Sequence, residues 1–402
     1  MCGEKGILHM RMSLHSTINP RLTDCTDVYA EITCIDISPC SRFVACGSTH
    51  HTMTADGFCL TQNKHYHVKI LSSDTFDVIK SFEDVHADAI NSIKFSHNGK
   101  LLASVSADKS ICIWDVETWD QRINQLLHSS FIHTVQFTHD DLTVITTSFD
   151  NIIKFSHLHR NIDGRVDKID EIRALQSISY ALAISQSPNN EHVAFSSEDN
   201  NEDCVTICNI NDCNIVARLS IFINYGILYS IDGNSLICSS RLHNGIDVYD
   251  TRLNYTMNNT ITTGHLDRVV QIDHLPDKKH IFTTSLDKSL RIFNCKTWNP
   301  IAVMQFGGFI HIKTVAWSNN CKHLFVGHII DAIYSETNVY TMCKWSDHNN
   351  IHFNNIIVSL IFYLVSIFDQ GYFDVLPVEM FMEIAEQTVM LILGCHISFN
   401  FK

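Results

Sequence analysis

Glycine is scarce in this chain, 15 among 402 residues, and no glycine-rich loop of the kind that cradles phosphate occurs. GxSxG and HExxH are absent too, which removes the signatures of a serine-hydrolase elbow and of a zinc protease. Cysteines number 15, but they are scattered, odd in count and never spaced as CxxC, so reduced, buried thiols are expected. The first 15 residues lack the apolar core of a secretory signal, and Gly3 stands one place too late for N-myristoylation, so the expected address is cytoplasmic, nuclear or both. There is no long basic run. Lys and Arg number 29 against 43 Asp and Glu, a net charge of −14, which argues against direct binding to nucleic acid. The apolar run at 356–368 is uncharged but falls short of the roughly 20 residues that a membrane-crossing helix needs.

What is present is core material. Hydrophobic residues make up 45% of the chain and charged residues 18%, which excludes wholesale disorder. The length exceeds one ordinary core and fits two or three domains or one large repeat architecture. Periodicity decides for the repeat. An apolar strand, a Ser-Pro or Ser-His turn and a second apolar strand recur near Ile37, Phe95, Phe137, Gln186, Tyr229, His274 and Trp317. After a first step of 58 residues, the steps are 42, 49, 43, 45 and 43. Residues 93–126 hold four short period-2 stretches parted by polar turns, a four-stranded antiparallel unit. One such unit cannot bury both faces, whereas several arranged radially can.

The second unit reads His86, then Ser104-Val-Ser-Ala-Asp108-Lys-Ser-Ile-Cys-Ile-Trp114-Asp115. It resembles the signature of the WD-repeat family. That resemblance implies an all-β, seven-bladed β-propeller of four-stranded antiparallel blades, with a structural tetrad of His86, Ser104, Asp108 and Trp114 joined by hydrogen bonds. His128, Thr146 and Asp150 form a partial copy with Ser156 near the Trp position, and His265, Thr283 and Asp287 form another with Phe293 in place of Trp. Without the indole donor those copies are expected to be weaker. The blades are expected at about 30–82, 86–126, 128–175, 176–219, 220–261, 264–304 and 307–345, one propeller over residues 1–345. The stretch Ile7 to Leu14 is expected to close the ring by pairing into the last blade. An insertion at 48–67, with His50, His51, His65 and His67, lacks defined ligand spacing and reads as a solvated loop with no metal. Residues 346–402 form an apolar tail, expected to be helical. It is read as packed or partner-seeking helices, a membrane-associated segment or an aberrant terminus.

No constellation argues for an enzyme, a cofactor or a metal. His86, Asp108 and Ser104 superficially resemble a catalytic triad, but their place in a repeat signature makes them a structural network. Function is therefore expected on the surface. The resemblance places the residue before each turn Asp on the top face, here Ala107, Phe149 and Leu286, with Asp88, Phe131, Asp267 and Arg268 from neighbouring loops. An ordinary surface residue is the bland alternative at each. The expected function is a non-catalytic scaffold for proteins or peptides, a monomer within a hetero-complex. Two alternatives stand beside it. Residues 237–252 resemble the box of substrate receptors for cullin-4 ubiquitin ligases, ending in Tyr249-Asp250-Thr251-Arg252 where that box has Trp-Asp-x-Arg. The apolar tail suggests a membrane-linked trafficking or autophagy propeller.

Overall fold

The computed structural model describes residues 8–9, 13–18, 28–53, 59–75, 77–177, 180–199, 202–221, 223–240, 242–306, 310–319, 323–330 and 334–341. The apolar tail, with its expected helices, lies outside the described residues. Among the described residues no helix is long and apolar enough to cross a membrane.

Among the described residues all regular structure is β-strand apart from one 3-10 turn, Thr251–Leu253. The strands form a propeller of antiparallel sheets that follow one another in chain order. Among the described residues six sheets have four strands and one, the sixth in order, has five. A uniform set of seven four-stranded blades is therefore not what forms. The extra strand is Leu8–His9, which pairs in parallel with Pro300–Gln305. The N-terminal strand that completes the last sheet is Ser13–Ile18, opposite Tyr334–Thr341. The expected closing segment, Ile7 to Leu14, is thus divided between two sheets. Its first part meets an apolar outer strand in the sixth sheet.

Burial explains the strand patterns. The second strand of the second sheet, Leu101–Ser106, is buried at every position because neighbouring sheets cover both faces. The inner strand, Ile90–Phe95, buries Ile90, Ile93 and Phe95 and leaves the residues between them half-buried. The core lies between sheets. Ala103, Val105 and Ile113 of the second sheet pack with Val135, Phe137 and Val144 of the third. Ile32, Ile35 and Val44 of the first sheet pack with Phe325 of the last, which closes the ring. Gly327 marks how close that joint is, since a Cβ there would stand 2.7 Å from Thr314 Cγ2 and 3.2 Å from Ile32 Cγ2.

The recurring Ser/Thr turn has a specific role. The hydroxyls of Ser38, Ser96, Thr138, Ser187 and Ser230 each accept from the backbone N–H five residues on, at 2.8–3.1 Å. The turn is held from inside, as small hydroxyl side chains do in place of backbone pairing. Inner strands are also stitched to their neighbours. Asp36 accepts from Phe95 N at 2.7 Å, Ser185 from Tyr229 N at 3.0 Å and Gln271 from Val315 N at 3.0 Å.

The histidine-rich insertion is not a loop. Phe43–Met53 and Cys59–Ser72 run on as one long antiparallel hairpin, with His50 opposite His65 and Ser48 opposite His67. Period-2 alternation in a polar segment gives no apolar signal by which to see it. Side chains at His50, His51 and His65 lie outside the described residues.

Candidate interaction surface

Three sheets carry a buried histidine relay. In the second, His86 Nδ1 lies 3.2 Å from Asp108 Oδ2 and 2.8 Å from Ser110 Oγ, and Nε2 lies 2.6 Å from Ser104 Oγ. Asp108 also accepts from Ala87 N at 2.7 Å and Ser110 N at 2.8 Å, pinning the turn to the incoming loop. In the sixth, His265 contacts Asp287 at 3.0 Å, Thr283 at 2.8 Å and Ser289 at 2.9 Å. In the third, His128 contacts Asp150 at 3.0 Å and Thr146 at 2.8 Å, and Asp150 accepts from Ser129 N and Ile152 N, both at 3.0 Å. A neutral imidazole with its proton on Nδ1 satisfies all three, donating to the carboxylate and accepting from the hydroxyl.

The titration directions agree. Burial works to raise the carboxyls of Asp108 and Asp287, but hydrogen bonds from the His and Ser side chains outweigh it and hold both below the usual carboxylate value. For Asp150, burial is likewise outweighed, by its interaction with His128 and by hydrogen bonds from Ser129 N and Ile152 N. Burial pushes His128 and His265 down, against the pull of their aspartates.

The tryptophan arm of the expected tetrad is not made. Trp114 is fully buried, and its Nε1 has no hydrogen-bond partner among the described residues. The register gives the reason. Ser104 sits opposite Cys112, while Trp114 sits two residues on, opposite Leu102. Its ring packs instead on Phe82, with centroids 5.2 Å apart. The missing Trp at Phe293 and Ser156 therefore costs those copies no hydrogen bond of this kind. Nor can His86, Asp108 and Ser104 act as a triad, because the side chain of His86 is 0% exposed.

The relays fix the loops of one end of the propeller. Ala107, Phe149 and Leu286 each donate their backbone N–H to the loop entering the same sheet, at Ala89, Phe131 and Arg268, at 2.9–3.0 Å. Ala107 and Asp88 are half-buried, whereas Asp267, Arg268 and Leu286 are exposed. Phe131 and Phe149 come together. Their rings lie 6.3 Å apart edge to face, and Phe149 stacks on Tyr180 at 4.7 Å with 20° between planes. All three rings are 40% or more exposed. Beside them opens a central cavity of about 1150 Å³, lined from or next to the inner strand of every sheet, with Lys94 held charged by Asp36 at 3.0 Å.

Comparison with known proteins accords with this geometry. The WD domain, G-beta repeat family matches residues 77–115 and 257–294. Over 100 residues the chain is 34% identical to WD repeat-containing protein 82 of Drosophila melanogaster, covering 23% of this chain and 31% of that one. The chain carries WD repeats at 77–115 and 257–294. It is 30% identical over 95 residues to the Transcriptional corepressor LEUNIG_HOMOLOG of Arabidopsis thaliana (24% of this chain, 12% of the relative). It is 30% identical over 88 residues to the DDB1- and CUL4-associated factor 10 of Homo sapiens (21% and 16%). It thus spans less than a third of the length of each of these relatives.

At the edge of the fifth repeat, Asp250 caps the turn Thr251–Leu253 by accepting from Arg252 N at 2.9 Å. It also grips the Arg252 guanidinium at 3.1 and 2.8 Å, while that side chain stays 66% exposed. Tyr249 is buried. Some residues of the WD-repeat site escape a reading of the sequence. Ser106, Ser148 and Ser285 each accept from the turn Asp N–H and donate to a carbonyl of the incoming loop. Their signal is a serine two places before each Asp. Tyr180 has no such marker, because the fourth repeat has no His–Asp pair to number from.

Proposed function

We propose that this WD-repeat protein is a non-catalytic scaffold that binds protein partners on the top face of a seven-bladed ring and assembles them into a complex. The blades would be those expected from the repeat, about 30–82 through 307–345. The observation that carries the reading is the aromatic patch of Phe131, Phe149 and Tyr180. Exposed, mutually supported aromatics bury large area at small entropic cost and are the usual energetic centres of interfaces. The His128 relay beneath holds the loops of Phe131 and Phe149 in place, so that pair is positioned before any partner arrives, and Tyr180 stacks onto it. Asp88, Ala107, Asp267, Arg268 and Leu286 would form the rest of the surface. The test is mass spectrometry of proteins co-purifying with the full chain and with Phe149→Ala. Loss of a discrete partner set with unchanged thermal unfolding supports the patch, and full retention of partners excludes it as the working surface.

A second reading has its own support. The exposed Arg252, aligned by Asp250 after Tyr249, has the composition of a ligase-adaptor edge, and one relative is named for association with DDB1 and CUL4. On that reading the chain is a substrate receptor of a cullin-4 ligase. Adaptor binding should then fall with Arg252→Ala, and unaffected binding would end it. Nuclear residence fits either reading, given that one relative is named a transcriptional corepressor.

A further inference from the structure

We propose that the outer edge of the sixth sheet, Ala302 to Met304, is a strand-addition site for an extended apolar peptide of a partner, occupied in this chain by its own residues Leu8–His9. This goes beyond the top-face reading and does not depend on it.

The outer strands of the first, second, fourth and fifth sheets are largely exposed, and that of the third buries Val166 and Ile169 alone. Val78–Phe82, Gln121–Leu126, Ile215–Ser220 and Thr256–Ile261 each bury at most one residue. Such strands blunt their edge with charge and amide side chains, which discourages pairing with other chains. Pro300–Gln305 breaks that pattern. Its middle reads Ile301-Ala-Val-Met304, without charge, and Ala302, Val303 and Met304 are 0%, 7% and 2% exposed. Ala302 and Met304 pack among Ile312, Val315 and Leu324 of the next sheet. A strand buried on both faces has the composition of a sheet interior, not of an edge.

The structure also shows what such an edge accepts. Leu8 pairs with Ala302 and His9 with Val303, in parallel, making this the one five-stranded sheet among the described residues. Among the described residues two pairs hold the segment, fewer than a peptide paired along all of Pro300–Gln305 would make. Main-chain pairing supplies affinity in this mode and apolar neighbours select the peptide. The partner it fits is therefore an extended, β-forming segment that enters parallel to Pro300–Gln305 with an apolar residue opposite Ala302, where Leu8 stands here.

The test uses the full chain and a fluorescent peptide of residues 4–12, with Leu8→Pro as the releasing substitution because proline cannot donate to a ladder. Hydrogen exchange at Ala302–Met304 should speed up in Leu8→Pro while exchange in the second sheet stays unchanged. The peptide should bind the Leu8→Pro chain, fail to bind the unaltered chain, and lose binding when it carries Leu8→Pro itself. Unchanged exchange at Ala302–Met304, or no peptide binding to the released chain, overturns the proposal. So does dimerisation of the Leu8→Pro chain without peptide, which would make a second copy the occupant.

Discussion

In the second sheet a buried imidazole bridges Ser104 to Asp108 and so ties the inner part of the sheet to its top turn. In the fourth sheet no histidine stands there. Ser196 Oγ accepts directly from Leu182 N and Ala183 N, both at 2.9 Å, and Ser239 does the same for Gly226 N at 3.0 Å in the fifth. A short hydroxyl thus satisfies the inner strand where the relay is missing, and in the fifth sheet the top turn is tied separately, by His243 to Asp247 at 3.2 Å. The two solutions share the same apolar strands. The sheets therefore owe their existence to burial, while the relay sets how firmly the top loops are held. Variants that act on packing and variants that act on the relay should separate cleanly.

The largest effect is expected from packing. Trp114→Ala removes a fully buried ring and should cost about 3–5 kcal/mol. Trp114→Phe should cost less than about 1.5 kcal/mol, because it keeps most of the apolar volume and the indole N–H has no partner to lose. Thermal unfolding of the two variants decides the matter. Equal losses would mean that the indole nitrogen is engaged after all.

The relay comes next. Asp108→Ala strands His86, Ala87 N and Ser110, and should cost about 1–3 kcal/mol. Asp287→Ala should match it, since Asp287 has the equivalent four partners in His265, Leu266 N, Ser289 N and Ser289 Oγ. Asp150→Ala should cost somewhat less. Its hydroxyl partner is the exposed Ser129, which water can satisfy, instead of a buried serine that also touches the histidine. The absent tryptophan has no part in that difference.

Acid should expose the same contrast. Burial lowers the folded pKa of His128 and His265 below the ordinary 6.5, so the unfolded chain takes up protons first as pH falls. Stability from these groups is complete above about 6.5 and is lost as pH drops below it. The aspartates, held below the ordinary 3.8, add a further loss only under more acid conditions. Protection factors from amide exchange, corrected for the intrinsic rate at pH 7.5 and 5.5, should therefore fall on acidification in the third and sixth sheets and change less in the fourth. A uniform change across all three would detach the histidines from the effect.

How much of this is legible in the sequence depends on local spacing. The Ser/Thr turns, the His–Asp intervals and the four-strand units are all fixed within one repeat, and a repeat is visible as a repeat. What depends on register or on distant pairing is not. Trp114 misses Ser104 by two positions, which no spacing rule shows. Leu8–His9 finds Pro300–Gln305 across nearly the whole chain, and the long hairpin at 43–72 hides in polar residues. Tyr180 joins Phe149 from a repeat too worn to align. Two of these features, the Leu8–His9 pairing and the Tyr180 stack, are contacts between units, while the other two turn on register and polar alternation within one.

The smallest effect should come from Arg252. Its ion pair with Asp250 has good two-point geometry, but the guanidinium is 66% exposed and water replaces what the pair supplies. Asp250 keeps its capping bond to the backbone N–H of residue 252 whatever side chain stands there. Arg252→Ala should therefore leave the unfolding temperature where it is, in contrast to Asp108→Ala, although both remove one half of an Asp pair. A drop comparable with that of Asp108→Ala would place Arg252 in the framework of the fifth sheet. An unchanged transition leaves its outward charge free for a partner, and makes the variant a clean probe of adaptor binding.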